Sequence, residues 1–481
     1  MSRGGKRRQD KLSPTTIQHY DRAAIASLYW KSHLLNSATP ATSKYTPATA
    51  MAVVVANMIG TGVFTSLGYQ IIDIKSTFVL LMLWLVGGIA ALCGALTYAE
   101  LASRLPRSGG EYNFLSQLYH PALGFVSGWV SLTVGFAAPT ALAAMTFAAY
   151  MDSALGSQLG INRVVAAVVL VAAVTLVHGR NHKASGGLQN WFTVIKVLLI
   201  IGFVAIVGGA VSQPQTVNLL PTSGDGTLLL SGAFAVSLIY VNYAYAGWNA
   251  ATYITGEIEN PVRSVPTVLI GGTAIVIVLY LALNALFLYA VPMAALEGKL
   301  EIGVIVARHT FGATGALIMG GILSLLLIST VSAMLLAGPR VLQVMGEDFR
   351  LFRLFAVNNS GGVPATAIYT QGGLAILFIL TSTFESVLVF AGFILGLSSL
   401  ATVLSVFVLR YRSGADIQAG NSSYRTWAYP LPPLIYSAIM LWTLTFIAVN
   451  RPQEAAVAAA IIALGFICYI VTEKLAASAS H

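Results

Sequence analysis

Twelve apolar runs of 18 to 30 residues follow one another along the chain, at about 47–72, 77–101, 121–150, 162–179, 188–211, 228–256, 265–291, 314–338, 364–382, 386–409, 429–449 and 453–472. A helix needs ~20 apolar residues to cross a bilayer. The runs are continuous and not alternating, so they read as helices and not as barrel strands. Pro, Arg and Asp, which cannot continue a lipid-facing helix, fall in the loops between them. Apolar residues make up 57% of the 481, and charged residues 9%, against roughly 25% charged in a soluble domain. That much apolar surface cannot be hidden in a water-soluble core of this length. The polar tracts are too short for a disordered chain, and the 45 glycines follow no triplet period. The expected fold class is an all-α polytopic membrane protein with twelve transmembrane helices.

The net charge of +9 raises nucleic acid as a partner, but the basic residues are scattered over short loops, so no nucleic acid is expected; the lipid bilayer is the expected surroundings. The cysteines, Cys93 and Cys468, sit inside apolar runs, and none of the seven His shows ligand spacing. No disulfide, metal site or cofactor is expected. An intramembrane enzyme would need a nucleophile–base pair, paired Asp or HExxH at membrane depth; no run holds one, so no catalytic residue is assigned. Residues 1–46 carry eight Lys/Arg and two Asp without a stretch of signal-peptide length, so the first span is expected to stay uncleaved. The loose helical spacing from Ile17 to Leu35 is either a surface helix or a disordered arm.

Placing the N-terminus in the cytoplasm puts twenty Lys/Arg on the inner side and five on the outer, which predicts both termini inside a plasma or inner membrane. Lys196 alone falls within a span.

The first and sixth runs are alike. Each is interrupted at mid-helix, by Asn57-Met58-Ile59-Gly60-Thr61-Gly62 and by Asn242-Tyr243-Ala244-Tyr245-Ala246-Gly247-Trp248-Asn249. Five spans separate the interruptions, and an odd number reverses the second unit. That is the mark of a five-plus-five inverted repeat with two spans added. The expected organisation is a basic tail (1–46), a first repeat (47–212), a second repeat (228–412), helices 11 and 12 (429–472) and a C-terminal tail (473–481).

Unwinding a helix at membrane depth frees backbone groups that lipid cannot satisfy, so breaks persist where protein, water or a ligand supplies partners. A half-helix starting after Gly60 points amides and partial positive charge into the break, which suits a carboxylate. A half-helix ending near Tyr243 leaves carbonyls, which suit an ammonium group. Together they match a zwitterion with both charges on one carbon, and neither break contains a charged side chain. The competing explanation is that Gly60 and Gly62 merely let helices approach. Tyr243 and Trp248 either line the pocket or pack beside it.

Lys196 lies about 12 Å into a ~30 Å core, where an ammonium costs ~2.5–3.5 kcal/mol on insertion scales. Either it snorkels to the inner interface, or it faces the interior, hydrogen-bonds the unwound first helix and couples it to the transport cycle. Glu100 is expected to meet Arg104 and Arg107 at a helix end, and Glu257 and Glu259 to form an inner ion-pair network near Arg263. Ser329, Thr330 and Ser332 either line a polar path or bond back to their own helix.

These segments resemble the amino acid-polyamine-organocation superfamily, in its L-amino acid transporter-like branch. The resemblance is carried by Gly60-Thr61-Gly62-Val63-Phe64, Tyr98-Ala99-Glu100-Leu101 and Pro106-Arg107-Ser108-Gly109-Gly110-Glu111-Tyr112. It continues through Gln189-Asn190 to Lys196, Tyr243 to Asn249, Gly256-Glu257-Ile258-Glu259-Asn260-Pro261-Val262-Arg263, and Gly338-Pro339-Arg340-Val341. It implies a LeuT-like fold with helices 1 and 6 broken, and an amino acid carried by alternating access. It further implies that amides of Thr61 and Gly62 hold the carboxylate. Carbonyls of Met58 or Ile59, and of Tyr243, Ala244 and Ala246, would hold the amino group, with Asn249 lining the pocket. Lys196 would stand where relatives place sodium, implying a sodium-independent exchanger or proton-coupled carrier. Many branch members have Gly, Ser or Asp where Ala246 stands; its methyl trims room relative to Gly and weakens any claim to bulky aromatic substrates. With no cysteine in an outer loop, no disulfide-linked glycoprotein subunit is expected.

The function that follows is a permease or antiporter for neutral amino acids. The alternative is an amino-acid-binding membrane sensor built on the carrier fold.

Overall fold

A computed structural model describes residues 45–155, 160, 162–180, 186–360, 363–412 and 423–478. The expected surface helix or arm of 17–35 lies outside the described residues.

Helix covers part of every apolar run. The first run is α1 (Pro47–Met58) and α2 (Gly62–Asp73), and the second is α3 (Thr77–Arg104). A short α4 (Glu111–Leu118) leads to the third, α5 (Pro121–Val130) and α6 (Ala137–Ala154), joined by a π-helical turn at Ser131–Gly135. Next come α7 (Arg163–Arg180), α8 (Gly186–Ala210) and a short α9 (Asp225–Leu229). The sixth run is α10 (Gly232–Tyr245) followed by a 3₁₀ segment, Ala250–Glu257. The chain continues as α11 (Pro261–Ala290), α12 (Met293–Leu296), α13 (Ile302–Asp348), α14 (Arg353–Ala356), α15 (Ala365–Thr381), α16 (Phe384–Arg412), α17 (Leu431–Asn450) and α18 (Pro452–Ser478).

Among the described residues, nine helices are long and apolar enough to cross a membrane, with the two halves of the first run counted together. Val194–Ala210 and Ala365–Thr381 are apolar but shorter. The only β pairing among the described residues is one isolated bridge, Tyr45 to Ile258. The architecture is that of an all-helical, multi-pass membrane protein. Leu198, Ile206, Val278, Leu325 and Leu380 stand well exposed on its outside, a distribution suited to lipid and not to water.

The helix starts follow local chemistry. Thr46 accepts from the Thr49 amide at 3.3 Å with Pro47 at the first helical position, Ser76 accepts from Val79 and Ser231 from Phe234. Each hydroxyl satisfies one of the orphan amides of a helix start. The run of Gly60, Thr61 and Gly62 has low helix propensity, and the first helix opens there. α2 packs against α10, and α11 against both α1 and α3. The two interrupted helices thus lie together at the centre, framed by α3 and α11.

Candidate binding site at the paired helix breaks

The first break spans Ile59–Thr61: α1 ends at Met58, Ile59 leaves helical geometry (φ −73°, ψ 82°), and α2 starts at Gly62. The first amides of α2 have no partners within their own helix. The second break is shorter than the sequence suggested. α10 stays helical through Tyr245, so Asn242 to Tyr245 are not unwound. The chain turns at 246–249 and resumes as a 3₁₀ segment, not an α-helix. Gly247, at φ 104°, supplies the left-handed residue of that turn.

The breaks touch. A Cβ on Gly247 would stand 2.9 Å from the Asn57 carbonyl, and one on Gly62 would stand 2.5 Å from the Ala244 Cα. Gly62 therefore serves close packing as well as any ligand. Gly60 differs: a Cβ there meets nothing nearer than the Met58 oxygen at 3.9 Å.

The expected carbonyl cradle is partly occupied. The Met58 oxygen accepts from the Gly60 amide at 2.8 Å and lies 2.5 Å from the Tyr280 hydroxyl. That hydroxyl also lies 3.1 Å from the Ala244 oxygen. The Tyr243 oxygen accepts from the Ala246 amide at 3.0 Å. A carbonyl has two lone pairs, so Met58 is already satisfied, which leaves Ile59 and Ala246 as the freer acceptors of the expected set. Sequence reasoning missed Tyr280. Its signal was a tyrosine one turn before Asn284 in an otherwise apolar run, a polar pair with no obvious partner.

Lys196 is 4% exposed, so it does not snorkel. Among the described residues its hydrogen-bond acceptor is the Thr330 hydroxyl at 3.1 Å. The expected bond to the unwound first helix is replaced, among the described residues, by one to α13. Lys196 and Thr330 do share a cavity of about 20 Å³ with Ile59, Gly60, Thr61, Phe64 and Tyr150. That volume suits about one water molecule and is too small for an amino acid. Tyr243, Ala244, Ala246, Trp248 and Asn249 do not line it. A larger, more polar cleft of about 620 Å³ is lined by loop and helix-end residues including Lys75, Asn218 and Asp225, and none of the expected site residues lines it.

The small cavity follows from closure at both ends of the breaks. On one side Tyr69 stacks on Tyr240 (5.8 Å) and on Phe384 (6.0 Å), and the Tyr240 hydroxyl donates to Glu385 at 2.9 Å. On the other, the Asn249 amide donates to Glu111 at 3.1 Å. Trp248 packs edge-on to Tyr98 at 4.6 Å and to Tyr436 at 6.2 Å. A Cβ on Gly94 would strike its indole at 2.8 Å. Trp248 is thus wedged between α3 and α17.

Two further expectations change, and a third that was left open is resolved in part. Glu100 is fully buried and paired bidentately with Arg410 at 2.9 and 2.7 Å, with Arg104 only at 4.0 Å. Its partner comes from α16 because Arg107 turns instead to Asp348 at 3.5 Å. No ion pair joins Glu257 or Glu259 to Arg263 among the described residues; both backbones bond Tyr45 instead. Ser332 meets His178 at 2.8 Å, Thr330 bonds back to Leu326 while accepting from Lys196, and Ser329 finds no partner among the described residues.

A family model described as amino acid permease matches residues 46–471. The chain is 27% identical to b(0,+)-type amino acid transporter 1 of Mus musculus, over 75% of this chain and 74% of the relative. It is 26% identical to the serine/threonine exchanger SteT of Bacillus subtilis (strain 168), over 80% and 86% respectively. It is 25% identical to large neutral amino acids transporter small subunit 2 of Mus musculus, over 88% and 79%.

Proposed function

The chain belongs to the amino acid permease family, and from that membership we propose a sodium-independent secondary carrier of neutral amino acids that works by alternating access. The observation that carries this is the close approach of the two interrupted helices around their breaks, Gly62 on Ala244 and Gly247 on Asn57, with no ionised side chain in either break. Amides of Thr61 and Gly62 hold the substrate carboxylate. Carbonyls of Ile59 and Ala246 hold the ammonium, joined by those of Met58 and Ala244 when Tyr280 shifts and by that of Tyr243 when the Ala246 amide lets go of it.

Lys196 supplies the argument against sodium. When protonated its amine repels a second cation from the cavity beside the first break; when neutral it offers a single lone pair, too little to coordinate sodium alone. The relatives are named for serine and threonine exchange and for large neutral amino acids, which supports neutral substrates and exchange, with proton coupling as the other mode. The arrangement fits twelve spans in a LeuT-like five-plus-five inverted repeat, 47–212 and 228–412, with 429–472 appended. The charge asymmetry fits both termini on the inner face of a plasma or inner membrane. One relative's name is that of a small subunit; here Cys93 is buried and Cys468 half-buried, so a disulfide-linked companion is not part of this reading.

The test is counterflow into proteoliposomes with a panel of all twenty amino acids, with sodium or choline outside and with or without a pH gradient. The reading expects sodium-indifferent accumulation of small or medium neutral amino acids that depends on amino acid inside. Saturable binding without flux would favour the sensor instead.

A further inference from the structure

Glu111 opens α4, the short helix between the second and third apolar runs. It is 4% exposed, and its carboxyl is held by four neutral groups from three other parts of the chain. Oε1 accepts from the Tyr98 hydroxyl of α3 at 2.8 Å and from the Asn249 amide of the second break at 3.1 Å. Oε2 accepts from the Tyr253 hydroxyl of the 3₁₀ segment at 3.4 Å and from the Ser398 hydroxyl of α16 at 3.3 Å. The approach is enforced by Gly110 (φ 53°), where a Cβ would strike the Tyr253 ring at 2.8 Å.

Among the described residues, no cation is hydrogen-bonded or ion-paired to the Glu111 carboxyl. Tyr112 on α4 donates to Asp348 at 2.6 Å, and Arg107 pairs with the same carboxylate. On α3, Glu100 takes Arg410 of α16. Among the described residues, α5 contributes the Ser127 hydroxyl, 3.2 Å from Ser398, and α17 contributes Tyr436, which donates to Ser399 at 2.7 Å. A buried carboxylate without a cationic partner is costly, and the usual response is to take up a proton. The surrounding hydroxyls both donate and accept, so the cluster accommodates either form. Burial pushes the Glu111 carboxyl above the usual glutamate range, against the opposing pull of its hydrogen bonds.

Two of the ligands, Asn249 and Tyr253, belong to the segment that follows the second break, so any withdrawal of that segment strips the carboxyl of half its donors and opens it to water. We propose that Glu111 is a proton-binding site of the carrier, filled while the inner end of the sixth span is closed over it and emptied to cytoplasmic water when that segment withdraws. The assignment rests on the alternating-access reading above. Proton occupancy of the inner closure, separate from Lys196, then sets how readily the closed form opens.

The deciding experiment is an infrared difference spectrum of the purified full-length protein, wild type minus Glu111→Gln, at about pH 7 without amino acid. The expected result is a deuterium-sensitive protonated-carboxyl stretch present in the wild type and missing in the variant. Its absence means Glu111 is ionised and overturns the proposal, whatever the protein transports. In counterflow, wild-type exchange should change between about pH 6 and about pH 8 while Glu111→Gln stays flat; an equal pH response in both overturns it as well. Loss of flux in both proteins would sink the carrier reading but leave the infrared result decisive. If Glu111→Gln does not fold, Ser398→Ala should carry the stretch to higher pH, since a donor to the charged form is gone; an unchanged titration contradicts the proposal.

Discussion

Tyr280 of α11 places its hydroxyl 2.5 Å from the Met58 carbonyl, the last helical residue before the first break. The same oxygen reaches Ala244 in α10 at 3.1 Å, so one hydroxyl ties both interrupted helices to α11. Tyr280→Phe removes the single hydroxyl proton that these two buried carbonyls share. The expected cost is about 1–3 kcal/mol of stability, read as a lowered thermal unfolding midpoint in detergent. An unchanged midpoint would show that the hydroxyl does not hold the breaks.

Gly60 and Gly62 should respond differently to the same methyl group. At Gly62 the methyl meets the Ala244 backbone at 2.5 Å, and overpacking of that kind costs about 1–3 kcal/mol. Gly62→Ala should therefore lose stability. At Gly60 the methyl enters open space beside the cavity, so Gly60→Ala should fold like the wild type and lose transport. Equal melting curves for the two variants would contradict the packing.

Lys196→Met removes the buried amine and keeps the length of the side chain. Because burying an ammonium is unfavourable, the variant should be at least as stable as the wild type. Its counterflow rate should drop by about tenfold or more, while its affinity for the amino acid changes far less. Thermal melts, counterflow and equilibrium binding separate these effects; a parallel loss of binding and flux would make Lys196 part of the substrate pocket and not a coupling residue.

The raised proton affinity of Glu111 has a definite sign for stability. The folded chain binds this proton more tightly than the unfolded chain, so the contribution is complete below the ordinary carboxylate pKa. It fades as the pH rises through the folded value. The melting midpoint of the wild type should therefore fall relative to Glu111→Gln as the pH climbs above the ordinary glutamate pKa of about 4.3. A gap between the two that stays constant with pH would contradict this.

Much of the architecture was legible because it rests on hydrophobic run length and on helix-breaking residues, both local properties. The twelve runs, the Gly60-Thr61-Gly62 break and the position of Lys196 within a span follow from that, whereas its turn to the interior and away from the interface does not. What was not legible depends on which helices become neighbours. Asn242 to Tyr245 stay helical because α10 packs along α2 and is supported by Tyr280, a contact 36 residues away in the chain. Arg410, not Arg104 or Arg107, pairs with Glu100, and Thr330 takes the Lys196 amine. Glu111 looked like one letter of a loop motif, and its burial by Tyr98, Asn249, Tyr253 and Ser398 has no signature in local sequence. Trp248, next to the second break, faces α3 and α17, a direction that sequence position alone does not set.

The central claim is that bare peptide groups of the two breaks grip the two charges of an amino acid. The most direct measurement takes whichever amino acid gives the strongest counterflow and compares its inhibition of uptake with that of its methyl ester and of the amine lacking the carboxylate. Hydrogen bonds to charged groups are worth about 1.5–3 kcal/mol each, so loss of the carboxylate should weaken inhibition by about 100-fold or more. An ester or amine that inhibits as well as the parent amino acid would contradict the account.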